Sequence, residues 1–431
     1  MTAISAKTWR RIPLGSLGEF RNGVNFTKDQ KGDGIRLINV KDIFQGAGRI
    51  LFDSLDLVSL KDKRGIEAYY VREKDLFFVR SSVKRDGVGL VGIAQRGDNQ
   101  TVHCGFVIRF RLTNPEANPY FLVYLLRSPL YRQKIISISG GSAITNISQD
   151  SLASLEIPLP PLPTQCKIAA ILSAYDDLIE NNTRRIKILE EMAQTIYREW
   201  FVNFRVPGHK KTEFITGHVG QLPKGWRMDS ITEVPQLRFI GENVKPYNGE
   251  KLYYATADVQ GISIVGQGEW YVYQTKPSRA QKQPVPNSVW FARMKESHKV
   301  LCFIDVNWNE ASRLLLSSGF AGFEAANGWL SFLYYTINTV EFHRLKDQFC
   351  TGTTQMSLTN EGLAKIQVIV PTEEIVKEYD TVVHPMIDEI LTLQKKNTNL
   401  RCARDLLLPR LISGEIDVEN LDIETEGLGN G

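Results

Sequence analysis

Apolar residues fall at Ile168, Leu172, Tyr175, Ile179, Ile186, Leu189, Ala193, Ile196 and Trp200. The steps alternate between four and three once Asn182 takes the slot between Ile179 and Ile186. That is the 3.5-residue period of a coiled-coil seam. The stretch opens Pro160-Pro-Leu-Pro-Thr-Gln165 and then runs to Phe204 without another Pro or any Gly. A helix from Ile168 to Trp200 spans about 50 Å. It cannot bury its stripe on itself and needs a partner.

The chain supplies that partner. A shift of 211 residues carries Ile168 onto Tyr379, and the seam becomes Tyr379, Val383, Met386, Ile390, Leu393, Asn397, Leu400, Arg404, Leu407 and Leu411. The same shift carries Gly141 onto Gly352, Leu152 onto Leu363, Ile157 onto Val368, Pro160 onto Pro371 and Phe121-Leu122 onto Phe332-Leu333. Strand, turn and helix positions match at one offset, so one unit is written twice. The expected fold is α/β (α+β): two strand-rich mixed domains alternating with two long helices. The helices pair as an antiparallel intramolecular coiled coil with a pseudo-twofold internal repeat. The boundaries are 1–159 for the first domain, 160–205 for the central helix, 206–370 for a linker and second domain, and 371–413 for the last helix. An acidic tail, 414–431, is expected to be disordered. Antiparallel overlap that sets Trp200 against Tyr379 also sets Asn182 against Asn397 and lays Arg404 over Tyr175. The Asn pair would fix register, and Arg404 would make a cation–π contact.

Within each domain, strands are expected at 35–40, Asp75–Arg80 and Val107–Leu112, and again at Leu252–Asp258 and Ser288–Arg293. A helix starts at Asn118-Pro119, with Asn as N-cap and Pro at N1, and runs towards Ile136. Gly87-Val-Gly-Leu-Val-Gly92 has the spelling of a dinucleotide loop but no helical pattern after it, so it reads as a hairpin.

Composition narrows the function classes. The chain is 42% hydrophobic and 23% charged, with a formal net charge of +4. No apolar run reaches transmembrane length, no signal peptide is visible, and the five dispersed cysteines fit free thiols in a reducing cytoplasm. The net charge alone says little about nucleic acid, but basic residues outnumber acidic ones in the first 164 residues. Neither a P-loop, nor a metal spacing of His, nor a Ser/His/Asp order stands out.

The strongest site candidates are Arg80 and Arg293. Each follows a buried aromatic strand and opens a basic loop: Ser81, Lys84 and Arg85 in one domain, Lys295 and Lys299 in the other. A rigid strand that delivers Arg to a loop can aim a guanidinium at a base edge or a phosphate. Arg109 alternates with Arg111 on the neighbouring strand and joins the candidate set. The plainer reading is that each Arg caps its strand and pairs with a nearby carboxylate.

The chain resembles the specificity subunit of type I restriction–modification enzymes. The resemblance rests on Pro160-Pro-Leu-Pro-Thr-Gln165 leading into the first helix and on Ala193-Gln-Thr-Ile-Tyr-Arg-Glu-Trp-Phe201. It rests also on Gly352-Thr-Thr-Gln-Met and on Leu406-Leu-Leu-Pro-Arg-Leu-Ile-Ser-Gly-Glu415. The second helix departs from the pattern, opening Pro371-Thr-Glu-Glu. The resemblance implies a non-catalytic reader of double-stranded DNA, with no cofactor of its own. Each domain would bind one half of a split, asymmetric site. The helices would set the spacer and dock two methyltransferase subunits, through Tyr197, Trp200, Phe201, Phe204, Leu408, Arg410 and Leu411. S-adenosylmethionine and ATP with Mg would sit on partner subunits, the restriction subunits among them. The alternatives are a DNA methyltransferase or nuclease acting alone, or a structural adaptor that binds no DNA.

Overall fold

The computed structural model describes residues 9–45, 48–60, 64–141, 144–208, 213–217, 220–353 and 355–425. The chain divides into two compact units: residues 1–179 with 399–431, and residues 180–398.

Unit 1 runs β1 (Arg10–Pro13), β2 (Gly18–Asn22), β3 (Lys31–Ile38), α1 (Val40–Phe44), β4 (Asp56–Val58), β5 (Leu76–Val79), β6 (Ser81–Ser82), β7 (Val91–Ile93), β8 (Thr101–His103) and β9 (Val107–Leu112). It continues with α2 (Pro119–Arg127), α3 (Pro129–Ser137), β10 (Thr145–Asn146), α4 (Gln149–Ala153), β11 (Glu156–Leu159) and the first part of α5 (Leu162–Tyr197). Its main sheet has the order β2-β9-β5-β7, and a second has the order β4-β3-β8 with β3 and β8 parallel. Strand β5 is central, and its period of two divides it between two cores. Leu76 and Phe78 enter one apolar cluster, Phe77 and Val79 the other.

Unit 2 repeats this plan. After a hairpin of β12 (Phe214–Gly217) and β13 (Gly220–Pro223) come β14 (Arg227–Ser230), β15 (Leu237–Phe239), β16 (Lys251–Tyr254), β17 (Val259–Gln260), β18 (Ser263–Ile264), β19 (Glu269–Tyr271), β20 (Ala280–Lys282), β21 (Ser288–Ala292) and β22 (Val300–Phe303). Then follow α6 (Asp305–Ala311), β23 (Leu314–Ser317), β24 (Phe320–Ala325), α7 (Leu330–Ile337), α8 (Val340–Gln348), β25 (Cys350–Thr351), β26 (Ser357–Leu358), α9 (Asn360–Leu363), β27 (Gln367–Val370) and α10 (Glu373–Ile412). The main sheet is β15-β24-β21-β22, and the second, β19-β16-β23-β20, again holds one parallel pair, β16 with β23. Strand β21 divides as β5 does: Val289 and Phe291 into one core, Trp290 and Ala292 into another. The terminal pairs match as well, β1 with β11 and β14 with β27.

The long helices occur where the seam placed them, and α5 continues through a π-helical turn, Arg198–Val202. Each contributes to both units. In unit 2, Asn182 donates from Nδ2 to Oδ1 of Asn397 at 2.9 Å, Arg185 pairs with Glu389 at 2.6 Å, and the Trp200 and Tyr379 rings lie 5.6 Å apart. Numbers rise along one helix as they fall along the other, so the segments are antiparallel. In unit 1 the same sense brings Arg404 to Asp176 at 2.5 Å.

Four expectations are corrected. The helix from Asn118 does not run through to Ile136. Asn118 caps α2 through Phe121 N at 3.0 Å, but Pro129 lacks an N–H and holds Ser128 extended, so α3 starts afresh. The linker after Val206 contains the β12–β13 hairpin. Arg404 forms no cation–π contact with Tyr175, because the Asp176 and Asp405 carboxylates take its guanidinium. The tail is ordered as far as it is described: Val418 is 1% exposed in the unit 1 core, and Lys167 Nζ donates to Glu419 O at 2.7 Å. Residues 426–431 lie outside the described residues. No described helix is long and apolar enough to cross a membrane.

Candidate nucleic-acid interface

In unit 1 the chain leaves β5 at Arg80, whose backbone N–H bonds Phe106 O at 2.8 Å and whose carbonyl accepts from Ile147 N at 3.0 Å. Both flanks of the residue are therefore fixed, while its side chain is exposed. Its Nη1 donates over a long 3.3 Å to Gly105 O. Ser81 is half-buried and donates to Asn146 Oδ1 at 2.5 Å as β6 pairs with β10. A tight turn follows, closed by Gly87 N to Lys84 O at 2.9 Å. Lys84 and Arg85 are exposed on it, with Val83 82% exposed beside them. Phe106, 64% exposed next to Arg80, is an apolar member of this surface that the sequence did not single out. The arrangement presents cations and an apolar side chain on a rigid frame.

Arg109 does not belong to it. It is 4% exposed and donates to Ala68 O at 3.0 Å and Tyr70 O at 3.4 Å. Burial pushes its pKa down to about 10. On a central strand of a sheet covered on both faces, alternation does not put a residue in water. Its neighbour Arg111 is likewise committed, making two 2.7 Å bonds to the Asp75 carboxylate.

In unit 2 the equivalent strand end behaves differently. Arg293 is half-buried and spends its guanidinium within the domain: Nη1 to Leu358 O at 2.9 Å, Nη2 to Asn360 Oδ1 at 2.8 Å and Nε to Phe320 O at 3.4 Å. Arg293 is thus held within its domain, by carbonyls and an amide rather than by the carboxylate of the plainer reading, and ties the strand to its neighbours. Lys299 is also engaged, donating to Thr256 O at 2.6 Å. Lys295 is exposed on the turn that follows, with Glu296 and His298. The second sheet adds an aromatic and cationic set. Arg313 lies 4.7 Å from the exposed Trp270 ring, Lys251 5.2 Å from Tyr247, and Lys276 5.4 Å from Tyr273. These residues are scattered in sequence, so no motif announced them.

The residues expected to dock partner subunits are mostly interior. Tyr197, Trp200 and Phe201 lie in the unit 2 core, and Leu411 in that of unit 1. Phe204 is half-buried, 5.6 Å from the Trp226 ring, and Leu408 is half-buried against the unit 1 core. Arg410 is exposed but bonded to Glu415 at 2.8 Å. Aromatic residues at a helix end packed inward because the adjoining domain offered them an apolar wall.

Gln165, in the motif that opens α5, is fully buried. It accepts from Asn118 N at 2.8 Å and donates to Glu116 O at 2.9 Å and Pro160 O at 2.8 Å. The motif therefore ties the start of α5 to the cap of α2. Among the described residues, no group of three or more His, Cys, Asp or Glu could hold a metal ion.

Residues 6–191 match the family model of the type I restriction modification DNA specificity domain. The MjaIX type I specificity subunit of Methanocaldococcus jannaschii is 26% identical, over 70% of each chain. The HindI specificity subunit of Haemophilus influenzae is 23% identical, over 95% of this chain and 99% of its own. A crystal structure of a type I S subunit from M. genitalium, 16% identical, shares the fold with a TM-score of 0.58 over 95% of this chain and 97% of that one. Along nearly its whole length, and in fold, this chain is similar to specificity subunits of type I restriction–modification systems, with the DNA specificity domain matched at residues 6–191.

Proposed function

We propose that the chain reads a bipartite, asymmetric DNA site within a type I restriction–modification complex, one half-site per globular domain. The observation that carries this is the doubled topology: the same sheet order twice, each with an exposed turn after the same central strand. The two turns differ, Arg80-Ser-Ser-Val-Lys84-Arg85 against Arg293-Met-Lys295-Glu-Ser-His298, and different turns read different bases. Lys84, Arg85, Lys295 and the side chain of Arg80 contact phosphates or base edges, with Ser81 holding the turn.

The helices act as the spacer and dock two methyltransferase subunits. Since the aromatic residues at the helix end are interior, docking uses outer faces, where Ile188, Met192 and Leu406 are exposed. Methyl transfer from S-adenosylmethionine and ATP-dependent cleavage belong to the partner subunits.

Sequencing modified adenines genome-wide, in cells that express the chain with its methyltransferase, tests the proposal. The expected motif has two unlike halves and a constant gap. A continuous motif, a perfect palindrome or a variable gap would overturn it.

A further inference from the structure

The two exposed turns share a support that lies beneath them. In unit 1, Arg132 of α3 donates from Nη2 to Asp86 O at 2.6 Å and to Val88 O at 2.8 Å. These are carbonyls of the turn that presents Lys84 and Arg85. In unit 2, Lys346 of α8 donates from Nζ to Met294 O at 2.7 Å and to Ser297 O at 3.0 Å. These bracket the turn that presents Lys295 and Glu296. Lys346 is 0% exposed, and its third donor meets Asp347 Oδ1 at 2.9 Å. That carboxylate also accepts from Glu296 N at 3.1 Å.

A buried ammonium is costly unless every N–H finds an acceptor. Here all three do, and two of the acceptors are backbone carbonyls of one turn. The turn itself is strained: Glu296, a non-glycine residue, sits at φ 59, a region that L side chains seldom adopt. The cation and its carboxylate hold it there.

The two supports are not equivalent by descent of position. Arg132 is the fourth residue of α3, and Lys346 the seventh of α8. The 211-residue shift carries Arg132 onto His343 and Ile135 onto Lys346. The contact recurs while the residues that make it differ, so the contact answers a need of the turn rather than a copied core position.

We propose that Arg132 and Lys346 are positioning residues for sequence discrimination: each fixes the backbone of its turn so that the exposed side chains meet DNA in one geometry. The inference rests on the reading that these turns contact the target. Discrimination between bases needs donors placed to within hydrogen-bond tolerance, whereas attraction to phosphate tolerates motion. Loosening a turn therefore costs selectivity before it costs binding.

The test uses the full complex and a bipartite target, so each half-site controls for the other. Lys346→Met keeps the volume and removes the donors; Lys346→Arg restores donors. For Lys346→Met, discrimination between the cognate duplex and duplexes with one base changed should fall about tenfold in the half-site read by unit 2. The other half-site should be unaffected, and Lys346→Arg should recover part of the loss. If Lys346→Met does not assemble, Arg132→Gln decides, with loss expected in the half-site read by unit 1. Undiminished discrimination in the assembled variants, or equal loss at both half-sites, would overturn the proposal. Lys84→Ala and Lys295→Ala separate it from the reading beneath it. If they change neither affinity nor motif, the turns do not contact DNA. If they do and the support variants do not, the positioning role alone fails.

Discussion

Arg80 and Arg293 occupy the same point of a repeated topology and do different work. The Arg80 side chain is exposed on a fixed backbone, so Arg80→Ala should leave the melting temperature unchanged. It should weaken target binding by about 1–3 kcal/mol if it reads a base, or reduce the salt dependence if it meets phosphate. Arg293 has three acceptors within its domain. Arg293→Ala should destabilise unit 2 by about 1–3 kcal/mol, because buried acceptors lose a charged donor. Thermal melting beside a binding titration separates the two; equal melting temperatures for both variants would mean the guanidinium bonds of Arg293 contribute nothing. The sequence could not distinguish these two arginines. Both follow a buried aromatic strand, and the acceptors of Arg293 are carbonyls and an amide far along the chain, at Phe320, Leu358 and Asn360. Arg109 was illegible for a related reason, since a loop covers the strand face that alternation assigns to solvent.

At the scale of elements the sequence was far more legible. The heptad seam located α5 and α10, and the 211-residue shift foretold that strand, turn and helix would recur. The Asn pair followed from register alone. Asn182 and Asn397 are both buried, and Asn397 also donates to Thr183 Oγ1 at 3.3 Å. Asn397→Leu should therefore cost more than Asn182→Leu, about 1–3 kcal/mol, because it strands the Asn182 amide. The double Leu variant should melt higher than either single variant while losing its unique register. Denaturant unfolding of all three checks this; additive costs would show that the amides act independently. Less legible was the way one motif diverges between the halves. In unit 1 the buried Gln165 holds the backbone N–H of Asn118. In unit 2 the 211-residue shift puts Val376 and Trp329 there, both in an apolar core. A polar tie has been exchanged for packing, which costs little when both partners change together.

At the scale of the whole molecule, the division into compact units cuts across the long helices. Unit 1 takes residues 399–431 from the far end of the chain. The acidic stretch after Gly414 looked too polar to fold, yet Val418 is buried with Ile416 packed beside it. One apolar residue with a place to go outweighs the composition of its neighbours. Ending the chain after Gly414 should destabilise unit 1 by about 2 kcal/mol, the worth of burying one Val. Unit 2 should be unchanged. Hydrogen exchange resolved by segment would report this as lost protection in β5 and α2 with none lost in β21 and α7; unaltered protection in unit 1 would mean the tail is dispensable to it.

That division of the chain has a consequence for synthesis. Domains of a nascent protein generally fold in the order they leave the ribosome, the N-terminal one first. Here residues 180–398 form a contiguous unit, whereas residues 1–179 wait for 399–418 to emerge before Leu411, Ile412 and Val418 can close their core. The first domain to be translated is thus the last to be completed.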